Sequence, residues 1–218
     1  MADYRNVDPT IGTLDDFDKM MAAFHRAGIK VIVDIVPNHC SADHPWLQEA
    51  LRSERGSEAR SRFHFHDGSS RMALAVLEIR SLTAGKGRDQ SEPPNDWLST
   101  WDESAWTPVG DGQFYLHLFD AMQPDLNWDH PAVRDDFLNT LRFWGDRGVA
   151  GFRVDVAQGL VKDMSEPYMS QAEVKRRAAT LRQNGKPKDY HPYLDRDGVF
   201  EIYQDWRKVF NEYTPPLT

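Results

Sequence analysis

The chain has 218 residues, of which 40% are hydrophobic and 28% charged, as in an ordinary soluble globular protein. Its net charge of −8 argues against nucleic acid or an anionic membrane as the main partner, whereas a neutral ligand such as a sugar is compatible with it. One cysteine excludes an intrachain disulfide, no apolar run is long enough for a transmembrane helix, and the first residues do not resemble a signal peptide, so we predict a cytoplasmic protein.

The first half of the chain predicts a helix, a strand and a long irregular segment. Thr13 can cap a helix over 14–27, and Gly28 stands just past its end. Its apolar stripe is predicted to consist of Phe17, Met20, Met21 and Phe24. The β-branched run 30–36 predicts a strand buried on both faces. A short helix is predicted over 45–51, and 54–112 is rich in loop-forming residues.

The second half predicts a strand over 114–118 and then helices that alternate with a strand. Pro131 opens a helix that runs to about residue 147, and a strand over 149–156 follows directly. Two more helices are predicted, over 170–183 and 199–213. Helices and strands in this order indicate βα units and a parallel sheet.

Charged and polar side chains stand where the two predicted parallel strands end. One strand ends in Arg153 and Asp155, and the other leads through Asp34 to Asn38 and His39. Barrel enzymes place their chemistry at such strand ends. Arg153 and Asp155 are two residues apart, so both point to one side of the strand. A structural ion pair is the alternative explanation of the same two residues.

Four segments resemble the α-amylase family, glycoside hydrolase family 13, and they occur in the family's order. The segments 34–39 (DIVPNH) and 151–157 (GFRVDVA) resemble its first and second shared motifs. The segment 123–128 (QPDLNW) is similar to the motif of the small domain inserted after the third barrel strand. The residues 2–17 resemble the stretch after the second strand.

The resemblance implies an α/β fold: a fragment of a (β/α)8 TIM barrel, from the end of strand 2 through the helix after strand 4. It implies partial barrel at 1–44 and 129–218, with an inserted subdomain at 45–128. An unusual insert at 69–84 has no counterpart in the family pattern.

The resemblance also implies roles for individual residues. Asp155 would be the nucleophile of a retaining mechanism, and Arg153 and His39 would bind the substrate. Asp34 and Asn38 would support the site, Asp34 as a partner of Arg153. His39 could instead be a hydrogen-bonded histidine at a strand end. In many members of the family the residue at Asn38 helps to hold a structural calcium, whereas in the α-glucosidase branch it more often ties loops together. No Asp-x-Asp-x-Asp-Gly loop is present, and we predict neither a metal nor a cofactor.

The inserted motif indicates the oligo-1,6-glucosidase and α-glucosidase branch, whose substrates are small α-linked oligosaccharides or disaccharides. A valine after the nucleophile, here Val156, has been associated with α-1,6 preference in that branch. A transglycosylase or sucrose isomerase of the same family, or a non-catalytic sugar-binding relic, would carry the same motifs. The sequence does not indicate an oligomeric state.

Two departures from the family pattern bear on activity. The glutamate that serves the family as general acid, at the end of the fifth strand, is not among these residues, and Met1 stands where the family has an aliphatic residue within the second strand. Glu201 is no substitute, because its segment reads as a helix surface. We therefore predict that the chain alone is inactive and poorly stable.

Overall fold

A computed structural model describes residues 1–69, 92–184 and 191–218. In chain order, the described elements are α1 (Leu14–Arg26), β1 (Ile32–Ile35), α2 (Pro45–Arg52), α3 (Glu58–Ser61), β2 (Phe65–Asp67), β3 (Trp106–Pro108), β4 (Gln113–Leu116), α4 (Pro131–Asp146), β5 (Gly151–Val154), a 3-10 turn (Ala157–Gly159), α5 (Gln171–Asn184) and α6 (Val199–Phe210). Two compact units contain them. Of the described residues, the first unit holds 1–40, 126–163 and 191–218, and the second unit holds 41–69, 92–125 and 164–184.

The first unit is built on the parallel pair of β1 and β5. The register sets Ile32 opposite Gly151 and Asp34 opposite Arg153. Because side chains alternate along a strand, these four residues lie on one face, and Val33 and Phe152 lie on the other. The parallel sheet predicted from the order of helices and strands is confirmed.

The two helices that precede these strands begin and end at residues that stabilise their termini. Thr13 forms a capping box with Asp16 at the start of α1, and Gly28 follows its end with φ of 72°. Pro131 stands at the first position of α4. The predicted limits of α1 and α4 therefore agree with the observed ones to within one residue.

The apolar faces of α1 and α4 pack on the inner face of the sheet. Met21, Trp144 and Val149 form the buried cluster, and Val33 and Phe152 pack against it. A second set of buried side chains joins α4 to α6: Trp128, Val133, Phe137, Leu141, Ile202 and Trp206. Burying such side chains stabilises a fold by about 1.5–3 kcal/mol each.

Three predictions of burial and extent were wrong in this unit. β1 is not buried on both faces, because Ile32 is 62% exposed and Asp34 is exposed as well: the described structure covers only the face that carries Val33. Met20 is exposed, which leaves Met21 as the buried member of the predicted stripe on α1. The second strand ends at Val154 instead of 156, because Val156 adopts a left-handed backbone that breaks the ladder.

The second unit is a three-stranded antiparallel sheet in the order β2-β4-β3, with short helices and an aromatic core. Trp97 stacks on Trp106 at 6.4 Å between ring centroids, and its indole donates to the carbonyl of Met169 at 2.7 Å. Gln113 of β4 and Asp111 both accept from the guanidinium of buried Arg60. Aromatic rings and a buried arginine thus contribute to the core of this unit, together with aliphatic side chains such as Leu47 and Leu116.

The segment 54–112 was predicted to be loop-like, and most of its described residues do lie outside helices and strands. It contains α3, β2 and β3, each of three or four residues. Elements this short carry too little periodicity to be read from the sequence. Apart from Ser69, the predicted insert at 69–84 lies outside the described residues. The domain limits at 44 and 128 remain a proposal. The compact units have boundaries at 40 and 125 instead, and they place 164–184 with 41–69 and 92–125.

Within the described ranges, none of the helices combines the length and the apolar character that crossing a membrane requires.

Candidate active site

The outer face of the parallel pair carries a guanidinium between two carboxylates. Arg153 donates through Nη2 to Oδ1 of Asp155 at 2.9 Å, and through Nη1 to Oδ2 of Asp34 on the neighbouring strand. The side chains of Arg153, Asp34 and Asp155 are 62%, 51% and 43% exposed. Such exposed pairs contribute about 0–1 kcal/mol to stability, so their main structural effect is to orient the carboxylates.

Asp155 lies one residue beyond β5 and is held there by the main chain. Its backbone N–H donates to the carbonyl of Ile35 at 2.8 Å, which continues the ladder past the strand end. The next residue, Val156, has φ of 52° and ψ of 30°. A β-branched residue in this region costs about 1–3 kcal/mol and persists only where the surroundings enforce it. This turn ends the strand directly after Asp155, so the carboxylate stands at the strand's tip.

The loop after β1 is held by hydrogen bonds to three successive carbonyl groups. The carbonyl oxygens of Pro37, Asn38 and His39 accept from the indole of Trp128 at 2.8 Å, the backbone N–H of Leu126 at 2.9 Å and the hydroxyl of Tyr4 at 2.7 Å, respectively. Asn38 is completely buried and His39 is 6% exposed. The loop therefore presents the His39 ring from a rigid backbone.

A buried lysine connects this loop to the turn that follows Asp155. The ammonium of Lys162 donates to Oδ1 of Asn38 at 3.0 Å and to the carbonyl of Gly159 at 2.7 Å. A Cβ at Gly159 would lie 3.0 Å from Asn38 Oδ1 and 3.2 Å from a methyl group of Val156, so the glycine allows this close packing. The amide of Asn38 in turn contacts Nδ1 of His39 at 3.3 Å.

Sequence reasoning identified five candidate site residues, and the structure places all of them at the ends of β1 and β5. Arg153 is in direct contact with both Asp155 and Asp34, and Asn38 contacts His39. Lys162 was missed. Its only sequence signature is a charged residue after the apolar pair Leu160 and Val161, a pattern that also occurs on solvated surfaces.

The described residues contain no group of three or more His, Cys, Asp or Glu side chains that could hold a metal ion. The amide oxygen of Asn38 accepts from the Lys162 ammonium, so its polar partner in this structure is a side chain.

The sequence of the chain matches a known protein family. The family model described as the α-amylase catalytic domain matches residues 1–215. The chain belongs to the α-amylase family. The membership expected from the four motifs is thereby confirmed.

Individual relatives of the family are similar over most of the chain. The trehalose-6-phosphate hydrolase of Escherichia coli is 39% identical over 168 residues, which are 77% of this chain and 26% of the relative. The oligo-1,6-glucosidase of Parageobacillus thermoglucosidasius is 31% identical over 215 residues, 98% of this chain and 33% of the relative.

A solved structure supports the fold directly. The trehalulose synthase of Pseudomonas mesoacidophila aligns with a TM-score of 0.74 at 29% identity, over 98% of this chain and 33% of that protein. The chain thus has the α/β fold of part of the family's TIM barrel, and its described strands do not form a closed barrel. It spans about a third or less of the length of these relatives.

Proposed function

We propose that the chain carries the nucleophile side of the catalytic centre of a retaining α-glucosidase. The observation that carries this proposal is the contact of Arg153 with Asp155 at the tip of β5, in a chain that belongs to a family of glycosidases. Asp155 would attack the anomeric carbon of a glucosyl unit. A bond from carbon to carboxylate oxygen forms while the bond to the leaving oxygen breaks, and water later releases the sugar.

In this proposal, Arg153 orients the nucleophile through one carboxylate oxygen. The hydrogen bond uses Oδ1, and Oδ2 would be the attacking atom. Asp34 holds the other side of the guanidinium and so keeps it from rotating away. His39 would donate to a hydroxyl of the bound glucose, and Asn38 would support it.

The reaction also requires a general acid about 5–5.5 Å from the nucleophile. Asp34, the other carboxylate that contacts Arg153, is a poor candidate for this role because the guanidinium engages it. We therefore propose that the 218 residues alone do not hydrolyse unactivated disaccharides such as isomaltose. The general acid would be needed to protonate their poor leaving group.

The substrate class that we propose is a small α-linked gluco-oligosaccharide or disaccharide. The oligo-1,6-glucosidase among the relatives supports an α-1,6 preference, with Val156 beside the nucleophile as the residue to examine. The difference of a methyl group or so in a pocket shifts specificity by about 10–200-fold, so this preference is graded. A cytoplasmic location stays a prediction.

Transglycosylation or sucrose isomerisation is the second candidate, favoured by the similarity to trehalulose synthase. Both reactions would pass through the same glycosyl–Asp155 intermediate, and they differ in the acceptor that releases the sugar. In a longer protein that also carries the general acid, incubation with sucrose distinguishes them, since a hydrolase releases glucose and fructose and an isomerase forms a new disaccharide.

Covalent labelling tests the nucleophile without the general acid. 5-Fluoro-α-glucosyl fluoride carries fluoride as a leaving group that departs unprotonated, so attack by Asp155 alone can form the adduct. We expect mass spectrometry to locate the fluoroglucosyl group on the peptide that contains Asp155, and the Asp155→Asn variant to remain unlabelled. Asp205→Asn is the matched control, because it removes a carboxylate that pairs with Lys208 on α6 and leaves Asp155 and its partners intact. Absence of labelling in the wild-type chain would contradict the proposal and would leave a sugar binder as the alternative.

A further inference from the structure

The contacts around Asn38 determine more than the shape of a loop. Asn38, Lys162 and His39 are buried together in the first unit, with 0%, 5% and 6% exposure. They form a continuous series: Lys162 Nζ to Asn38 Oδ1 at 3.0 Å, then Asn38 Nδ2 to His39 Nδ1 at 3.3 Å. The three side chains differ in their capacity to donate and accept hydrogen bonds. This difference determines which atom donates and which accepts at each contact.

The assignment of donors and acceptors starts at the lysine. An ammonium has three donors and no acceptor, so the atom of Asn38 that faces it must be the amide oxygen. The amide nitrogen of Asn38, which can only donate, must then face His39. The amide orientation, which is ordinarily ambiguous, is therefore decided by the charge of Lys162.

The consequence for the histidine follows from the same rule. A neutral imidazole has one protonated and one unprotonated nitrogen. Because Asn38 Nδ2 donates to Nδ1, that nitrogen must be unprotonated, and the proton must reside on Nε2. The ring nitrogen opposite to Asn38 is thus the hydrogen-bond donor.

We propose that Lys162 is a positioning residue that sets the tautomer of His39 through Asn38. The proposal rests on the proposed function in one respect, since it supplies the donor that His39 would offer to a sugar hydroxyl. Lys162 also holds the carbonyl of Gly159 in the turn after Asp155. One buried ammonium thereby serves both strand ends, the tautomer at β1 and the turn at β5.

The decisive variant is Asn38→Asp, which keeps the size of the side chain and its contact with Lys162. A carboxylate only accepts hydrogen bonds, so Nδ1 of His39 must become protonated and donate to it. We expect the ring ¹⁵N spectrum at pH 8, above the ordinary pKa of about 6.5, to show the Nε2–H tautomer in the wild-type chain and Nδ1–H in Asn38→Asp. His39→Gln assigns the resonance.

Lys162→Met tests whether the ammonium group fixes the orientation of the Asn38 amide. Without the ammonium, the Asn38 amide is free to rotate, and we expect His39 to show a mixture of tautomers. An Nδ1–H tautomer in the wild-type chain, or an unchanged Nε2–H tautomer in Asn38→Asp, would overturn the proposal. If Lys162→Met does not fold, the Asn38→Asp spectrum decides alone, since that variant retains the lysine contact.

Calorimetric titration with deoxynojirimycin, a glucose-like iminosugar, separates the tautomer from the function. We expect the Kd of Asn38→Asp to be about tenfold higher than that of the wild-type chain, the effect of losing one hydrogen bond. If Asn38→Asp changes the tautomer of His39 and leaves the Kd unchanged, the role of Lys162 and Asn38 in setting the tautomer is upheld. Only the proposed contact of His39 with a sugar is then contradicted. If the Kd of Asn38→Asp rises and the tautomer of His39 does not change, the proposal that Lys162 sets the tautomer through Asn38 is overturned.

Discussion

Asp34 and Arg153 lie directly opposite each other in the parallel pairing of β1 and β5, and their side chains form an ion pair on the outer face of the sheet. The residue that follows Arg153 by two positions, Asp155, contacts the same guanidinium at 2.9 Å. One arginine thus joins a carboxylate of the neighbouring strand to the proposed nucleophile of its own strand. The pairing of two strands therefore places the guanidinium that contacts the proposed nucleophile.

Arg153→Lys is expected to impair the nucleophile more than the fold. A lysine has a single ammonium and cannot bridge two carboxylates with the planar fork of arginine. We expect labelling of Asp155 by 5-fluoro-α-glucosyl fluoride to slow by about 10–100-fold, because the carboxylate loses its orientation. The free energy of unfolding should change by less than about 1 kcal/mol, as is usual for exposed pairs.

The control for this prediction is Arg142→Lys, which alters the exposed two-point pair with Glu212 away from the site. Labelling of this variant should match that of the wild-type chain. A wild-type labelling rate in Arg153→Lys would show that the guanidinium has no part in orienting Asp155.

Lys162→Met is expected to destabilise the chain. It removes two hydrogen bonds from a charged donor and leaves Asn38 Oδ1 and the carbonyl of Gly159 without that donor. Bonds of this kind contribute about 1.5–3 kcal/mol each, partly offset by the lower cost of burying an apolar side chain. We expect the free energy of unfolding, measured by urea denaturation, to fall by about 2–4 kcal/mol.

Lys175→Met is the matched control, because Lys175 is exposed and pairs with Asp102 at 3.3 Å on the surface of the second unit. Its effect should stay within about 0.5 kcal/mol. Equal losses in the two lysine variants would mean that burial of Lys162 does not distinguish it energetically.

Gly145→Ala is expected to lower stability through a steric conflict within the first unit. A Cβ at this position of α4 would lie 2.5 Å from the ring of Tyr213, whose hydroxyl bonds to Asp146. Overpacking of this kind costs about 1–3 kcal/mol, which outweighs the gain in helix propensity of about 1 kcal/mol. Thermal unfolding should show a lower Tm.

Gly198→Ala provides the contrast, since its Cβ would lie 3.4 Å or more from Val161 and its backbone is already helical. This variant should unfold at or above the wild-type Tm. A lower Tm for Gly198→Ala than for Gly145→Ala would contradict the packing described for Tyr213.

Thr13→Ala should change the pH dependence of stability. The side-chain hydrogen bond from Thr13 is the largest of the causes that lower the pKa of Asp16 below its ordinary 3.8. A carboxyl whose pKa is lowered by folding contributes stability that is present above its ordinary pKa and is lost as the pH falls through the lowered value. We expect the pKa of Asp16 in Thr13→Ala to rise toward 3.8, as followed by NMR titration.

The lowered pKa of Asp16 also determines how the effect of Thr13→Ala on the free energy of unfolding depends on pH. The part of the stability difference between wild type and Thr13→Ala that arises from Asp16 should be larger at pH 6 than at pH 2.5, because protonation removes the acceptor. A stability difference that grows as the pH falls would contradict the capping box.

Local residues made several of these features readable from the sequence. Thr13 and Gly28 bound α1, and Pro131 opens α4, because capping groups and restricted backbone angles act on their immediate neighbours. Arg153 and Asp155 could be placed on one side of a strand, since alternation is a property of the strand itself. The motifs at 34–39 and 151–157 identified the family for the same reason: each is a short, contiguous segment.

Only the tertiary structure decided which groups meet. Lys162 resembles a surface lysine in the sequence, and its burial against Asn38 results from two chain segments that are 124 positions apart. The exposure of Ile32 and the left-handed turn at Val156 were likewise not predictable from strand patterns, because both depend on what packs beside the strand. Capping residues and periodicity predicted most of the elements and the motifs indicated the family, because both act within short segments, whereas long-range contacts determined the polarity of the hydrogen bonds at the site.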